Sequence, residues 1–321
     1  MKKQWIAAVL LCGLCGFTVR AGAAPEDPIL SFPVLSDIHV QSGDAKSQRK
    51  FKAALEDLSE INPGANTLVI NGDLGNGRPS DYSVLSEILD STAHPPIHFT
   101  IGNHEFYKAY LKGDSWNPDG FPNGETEQAS INRFLTFTGM DKLYHDAWIK
   151  DYHFIFLGSE QFRQSNPDNG DDAYLSETQL AWLKEKLQEG AELNKPIFVF
   201  LHQPLPFTVT GSNEARGVVQ HKELKQILDA YPQVIMFNSH THYLLGSPNS
   251  VYRDRFLMVN TSSASEPWSV KAGPLDGDES EGLVVQVFPN AVVLKGRDFA
   301  SRQWISYAQY VIPTGNAGSG G

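Results

Sequence analysis

Short apolar runs and amphipathic stretches alternate from residue 29 onward. Ile29 to Leu35 reads as a buried strand, and Ala45 to Ile61 has helical spacing, with Phe51, Leu55, Leu58 and Ile61 recurring on one face. Thr67 to Ile70 is a short β-rich run, Tyr82 to Leu89 a helix with Val84, Leu85, Ile88 and Leu89 together, and Ile97 to Ile101 a strand. Further on, Asp151 to Gly158 predicts a strand and Ser176 to Glu189 a helix capped by Ser176. Pro196 to Leu201 and Val234 to Phe237 predict strands on either side of a helix at His221 to Ala230. Strand and helix alternating at this spacing indicate βαβ units and an α/β fold.

The remainder changes character. Phe256 to Asn260, Leu283 to Phe288, Ala291 to Lys295 and Trp304 to Ile312 predict strands with no helix between them, as expected of the antiparallel half of a second sheet packed on the first. Residues 106 to 125 also break the rhythm. Asp114, Asn117, Pro118, Asp119, Gly120, Pro122, Asn123 and Gly124 make a turn-rich insert, interleaved with Tyr107, Tyr110, Trp116 and Phe121. Such aromatics either pin a long loop or stack on a substrate. No internal repeat is visible, and one domain is expected over 25–313, followed by a flexible tail at 314–321.

The first 24 residues form a separate unit. A basic start (Lys2, Lys3), an apolar run from Trp5 to Val19 and small residues at Ala21 to Ala24 match a secretory signal peptide, with cleavage expected near Ala23 or Ala24. The run is too short for a membrane span, which needs about 20 residues. The mature protein is therefore expected to be secreted or extracytoplasmic, with no membrane span. Both cysteines, Cys12 and Cys15, fall inside the leader, so the mature chain has no disulfide and any metal it binds must use nitrogen and oxygen ligands. Losing Lys2, Lys3 and Arg20 takes the formal net charge from −11 to −14. An acidic surface with no basic run argues against stable nucleic-acid binding.

Five polar clusters each follow an apolar run: Asp37-Ile38-His39, Gly72-Asp73-Leu74-Gly75-Asn76, Gly102-Asn103-His104-Glu105, Leu201-His202-Gln203-Pro204 and Ser239-His240-Thr241-His242. The carboxyl ends of strands are where an α/β sheet builds its ligand site. Asp73 is the natural bridging carboxylate, Asn103 a neutral oxygen donor, and His202, His240 and His242 complete two shells. Mixed nitrogen and oxygen shells suit manganese, iron, zinc, cobalt or nickel, whereas calcium and magnesium prefer oxygen. Two such ions about 3.5–4 Å apart can clamp a phosphoryl group and lower the pKa of a bridging water. His104 should face the bound phosphate, where it could bind it and protonate the leaving alkoxide. Glu105 could support the site or be a solvated turn residue. His94, His98, His145, His153 and His221 lie in no cluster and read as structural. Gln161, Arg163 and Arg216 could touch substrate but read more readily as surface residues.

This pattern resembles the calcineurin-like metallophosphoesterases: D-x-H, G-D-x-x-D/N, G-N-H-D/E, H and G-H-x-H, in that order, from Asp37 to His242. The resemblance implies a four-layer α/β/β/α sandwich and a dinuclear centre that hydrolyses phosphate mono- or diesters by attack of a metal-bridging hydroxide. It implies that Asp37, His39, Asp73 and His242 hold one metal, that Asp73, Asn103, His202 and His240 hold the other, and that His104 is the acid or phosphate-binding residue. Two positions depart from the pattern: Ser239 stands where Gly is usual, and Asn76 where an Asp often orients the histidine. An Arg beside that position serves phosphate binding in some subfamilies; here Gly77 is adjacent and Arg78 one further. No Tyr occurs from Asp73 to Ser80, which argues against the purple acid phosphatase branch. The competing readings are a catalytically idle, metal-stabilised binding protein and a nuclease or nucleotidase. Substrate and oligomeric state are not legible.

Overall fold

A computed structural model describes residues 27–189, 191, 195–213 and 217–314. The leader, the end of the tail and Arg216 lie outside these residues. Two six-stranded sheets face each other, with helices on their outer surfaces. The first sheet orders Gln303–Pro313, Ala291–Asp298, Glu281–Phe288, Leu30–Leu35, Leu68–Asn71 and Ile97–Thr100. The second orders Val251–Arg253, Leu257–Asn260, Val234–Asn238, Ile197–Phe200, Tyr152–Phe156 and His145–Ile149.

Alternation along the strands sorts the core. Leu30, Phe32 and Val34 point between the sheets, where they meet Phe154, Phe156, Phe198, Phe200 and Phe237. Phe32 sits edge-on at 4.9 Å to Phe154 and 5.0 Å to Phe198, the arrangement favoured by the ring quadrupole. Leu68 and Ile70 face outward to helices α1 (Ala45–Ile61), α2 (Pro79–Ser91) and α3 (Glu127–Thr138). On the other side, Ile155, Val199 and Met236 face α4 (Glu177–Gln188) and α5 (His221–Leu228). Strands buried on both faces explain why they read as continuous apolar runs.

α1 begins where Asp44 accepts from Lys46 N, and α4 where Ser176 accepts from Gln179 N at 3.1 Å. Pairing differs from expectation at the C-terminus. The strands between Glu281 and Pro313 are antiparallel, but they extend the first sheet, Glu281–Phe288 pairing with Leu30–Leu35. Leu257–Asn260 instead joins the second sheet, parallel to Val234–Asn238. Helix α3 and the edge strand His145–Ile149 had no counterpart in the sequence reading. No helix among the described residues is long and apolar enough to cross a membrane.

Candidate metal centre

At the strand ends the backbone leaves extended geometry. Asp37, His39, Asp73, His240 and His242 have φ of 47°, 42°, 55°, 64° and 60°. A left-handed non-glycine residue costs of order 1–3 kcal/mol and persists only where its surroundings hold it. Here they do: Asp37 N donates to Gly72 O at 3.1 Å, His39 N to Asp73 O at 3.1 Å and Val40 N to Leu74 O at 2.8 Å, tying the first two clusters together. Gly72 has φ 84° and lies so close to His202 that a Cβ would come within 2.5 Å of Nδ1. A Cβ on Gly102 would overlap the Asp73 carboxylate. Both glycines are there for close approach.

Two buried groups result: Asp37, His39, Asp73 and His242, and Asp73, His202 and His240, with donor atoms in each within 4.8 Å of one another. Asp73 belongs to both. His242 Nε2 is 2.9 Å from Asp37 Oδ1, His202 Nε2 is 3.2 Å from Asp73 Oδ2, and the Nε2 atoms of His39 and His242 are 3.3 Å apart. The far ring nitrogens are held by carbonyls, His202 Nδ1 on Asn71 O at 2.8 Å and His242 Nδ1 on Glu266 O at 2.9 Å. A carbonyl accepts only, so both Nδ1 atoms carry hydrogen and both Nε2 atoms face the cleft as donors to an ion. Asn103 gives its amide N–H to the Tyr107 hydroxyl at 3.1 Å, which turns Oδ1 the other way.

Whether these residues suit metals is tested by their buried polar atoms. Asn103 Oδ1 is buried with no hydrogen-bond partner, while Asp37 Oδ1 and His202 Nε2 meet only the charged groups of the cluster itself. A buried oxygen without a partner costs about 1–3 kcal/mol unless one arrives. Nitrogen and oxygen donors around a shared carboxylate fit two transition-metal dications. Burial pushes the Asp37 and Asp73 carboxyls up, but His242 and His202 beside Asp37, and His202 and His104 beside Asp73, hold both below the usual carboxylate range. The same pairing outweighs burial at His202 and raises it to about 10, so metal entry displaces a proton.

His104 stands over this centre. Its ring lies 3.9 Å from that of Tyr107, stacked at 26°, and edge-on to His39 at 4.4 Å. His104 Nδ1 donates to Asn76 Oδ1 at 2.8 Å, and Asn76 Nδ2 donates to Gln41 Oε1 at 2.8 Å. The amide thus takes the place of the expected Asp, and Nε2 is left facing Asp73 Oδ2 at 3.9 Å. Burial pushes the imidazole down despite Asp73. Ser239 is more than a small substitute for Gly, because its hydroxyl contacts both Asp37 Oδ2 and Ser262 O.

The remaining candidates sort clearly. Glu105 is fully buried and accepts from Gly102 N at 2.7 Å, Leu74 N at 2.8 Å and Asp73 N at 3.2 Å. Burial, with Asp73 beside it, pushes its carboxyl up to about 7. Arg78 reaches Asp114 O at 3.3 Å, and Arg163 pairs with Asp171 at 3.3 Å. His98 and His145 stack on Phe156, His153 meets Asp146 at 2.9 Å, and His221 meets Val218 O at 3.0 Å, all away from the centre. Sequence reasoning passed over Gln41 and gave Tyr107 no part in holding Asn103. Aromatic spacing flagged Tyr107, but no local signal marks Gln41.

A two-sheet fold with a shared-carboxylate cluster at its strand ends defines a metal-dependent phosphoester hydrolase. The family model for calcineurin-like phosphoesterases matches residues 30–244, and the chain belongs to that family. No curated protein matches it. Among solved structures, a dimetal phosphatase from Danio rerio is similar at 14% identity and TM-score 0.61, over 90% of this chain and 100% of that one. GAP50, described as the anchor in the inner membrane complex of Plasmodium, aligns at 14% identity and TM-score 0.55, over 88% of each chain. Purple acid phosphatase PPD1 of yellow lupin aligns at 14% identity and TM-score 0.54, over 88% of this chain and 53% of that one. At such identity these likenesses show the fold alone.

Proposed function

We propose that the protein is an extracytoplasmic phosphoesterase acting on small phosphate mono- or diesters with two divalent metals. The observation that carries this reading is Asp73, whose carboxylate is common to both donor groups. Asp37, His39, Asp73 and His242 would hold one ion, and Asp73, Asn103, His202 and His240 the other. Bound there, two dications lower the pKa of water and neutralise the charge gathering on the phosphoryl oxygens.

The chain's own residues supply the rest. Carbonyls on Nδ1 orient His202 and His242, and Glu105 holds the loops that carry Asp73 and Asn103. Because Asn76 accepts from Nδ1, His104 presents Nε2 toward Asp73 and the incoming phosphate. A phosphate dianion there favours the imidazolium, which can then hand its Nε2 proton to the departing alkoxide. Extracytoplasmic placement rests on the leader pattern, and the acidic charge favours small substrates over nucleic acids.

The test is turnover of a chromogenic phosphomonoester and its matching diester by manganese-reconstituted protein, alongside His104→Ala and the metal content of Asp73→Asn. We expect turnover of at least one substrate, a drop of 100-fold or more in kcat for His104→Ala, of the order general acid catalysis supplies, and loss of both ions from Asp73→Asn. Two retained ions with no turnover would favour the idle binding protein. Undiminished turnover by His104→Ala would overturn the role given to that residue.

A further inference from the structure

The insert at 106–125 carries one aromatic residue that its own packing does not explain. Tyr107, Tyr110 and Phe121 pack against the core on the helix side of the first sheet, which accounts for them as pins of a long loop. Trp116 is different: it is 56% exposed and has no part in that core. It sits at the end of a two-stranded hairpin, Leu111–Lys112 paired with Ser115–Trp116. Arg78, two residues beyond Asn76, donates to Asp114 O in the hairpin's turn at 3.3 Å, and Asn117 N donates to Tyr110 O at 2.7 Å. The hairpin is therefore moored to the loop that orients His104.

The rings form a ladder out of the metal centre. Tyr107 stacks on His104 at 3.9 Å, Trp116 lies 5.9 Å from Tyr107, and Tyr110 stacks on Trp116 at 5.0 Å and 29°. The first two steps place the indole within about 10 Å of the His104 ring. That is about the reach from a phosphate across one pentose to an attached planar base. An indole with one face backed by Tyr110 offers a rigid stacking surface, and such surfaces hold bases irrespective of their hydrogen-bonding edges.

We propose that Trp116 is the platform for the leaving group of a nucleotide-like phosphoester, stacking on its planar ring while the phosphate lies at the metals. The proposal rests on the phosphoesterase reading for the position of the phosphate, but it predicts binding separately from turnover. Titration calorimetry on manganese-loaded protein would compare the methylenephosphonate analogues of adenosine 5′-phosphate and ribose 5-phosphate, in which carbon replaces the scissile oxygen. The adenosine compound carries adenine where the ribose compound has its anomeric hydroxyl, so stacking shows as tighter binding of the adenosine compound by about tenfold.

Trp116→Ala should bring that ratio close to one, and Trp116→Phe should restore most of it. Equal affinities in the unmodified protein, or a preference that survives Trp116→Ala, would overturn the proposal. A base preference lost in Trp116→Ala in a protein that hydrolyses no phosphoester would uphold the platform and overturn the catalytic reading instead. Because the side chain is mostly in solvent, Trp116→Ala should unfold like the unmodified protein, and a matching denaturation curve verifies this.

Discussion

Glu105 offers the sharpest test of how the centre is built. Its carboxylate is fully buried and takes three backbone N–H groups, from Gly102, Asp73 and Leu74. Glu105→Gln keeps the shape but can place only one oxygen: set toward Gly102 and Asp73, it leaves an amide N–H₂ facing Leu74 N. One buried donor unpaired costs about 1–3 kcal/mol. Glu105→Ala strands all three and opens a cavity; allowing for water entering it, the cost is about 3–5 kcal/mol. Urea unfolding of the metal-free protein reads this directly as a shift in midpoint at unchanged slope. Because the stranded groups flank Asp73 and Asn103, manganese affinity should fall in the same order, alanine below glutamine. An alanine variant within about 0.5 kcal/mol of the unmodified protein, as for an ordinary surface site, would refute the reasoning and make Glu105 a turn residue.

Two further predictions concern stability away from the site. Asp57 is buried and accepts from Arg297 at 2.7 and 2.8 Å and from Arg302 at 2.9 Å. Asp57→Asn leaves the buried Arg297 cation uncompensated and should cost about 3–5 kcal/mol by urea denaturation, whereas a loss under 1 kcal/mol would show that solvent reaches the pair. Burial pushes the Glu281 carboxyl up to about 7 from 4.5, although Leu245 N donates to it at 2.8 Å. Between those pH values the folded protein holds a proton that the unfolded chain has released, so stability falls as pH rises through the window, by about 3 kcal/mol. Glu281→Gln should flatten that part of the stability curve, and an unchanged slope would assign it to another group.

Periodicity and turn chemistry are local properties, and what depends on them was readable directly. Helix α1 falls where Phe51, Leu55 and Leu58 recur, and α4 starts at the Ser176 cap. The five polar clusters stand at strand ends because a chain leaving a buried strand must turn there, and their residue types already name a nitrogen and oxygen metal site. Helix α3 carries local signals of the same kind in the Thr126 cap, Ile131 and Phe134 on one face, and Gly139 at its end, where the structure shows φ 69°. The half-exposed edge strand His145–Ile149 has no clean alternation to reveal it.

Other features depend on partners far along the chain. The strands after Glu281 could as well have joined either sheet, since alternation marks a strand but not its neighbour; pairing with Leu30–Leu35 decides it. Glu105 could not be assigned from its own surroundings in sequence, because two of its three donors come from the Asp73 loop. Asn76 marks a departure from the usual Asp, and only the approach of Gln41 shows how the amide is held with its oxygen on His104. Residue type is written position by position, whereas a hydrogen-bond partner or a sheet neighbour exists only once distant segments meet.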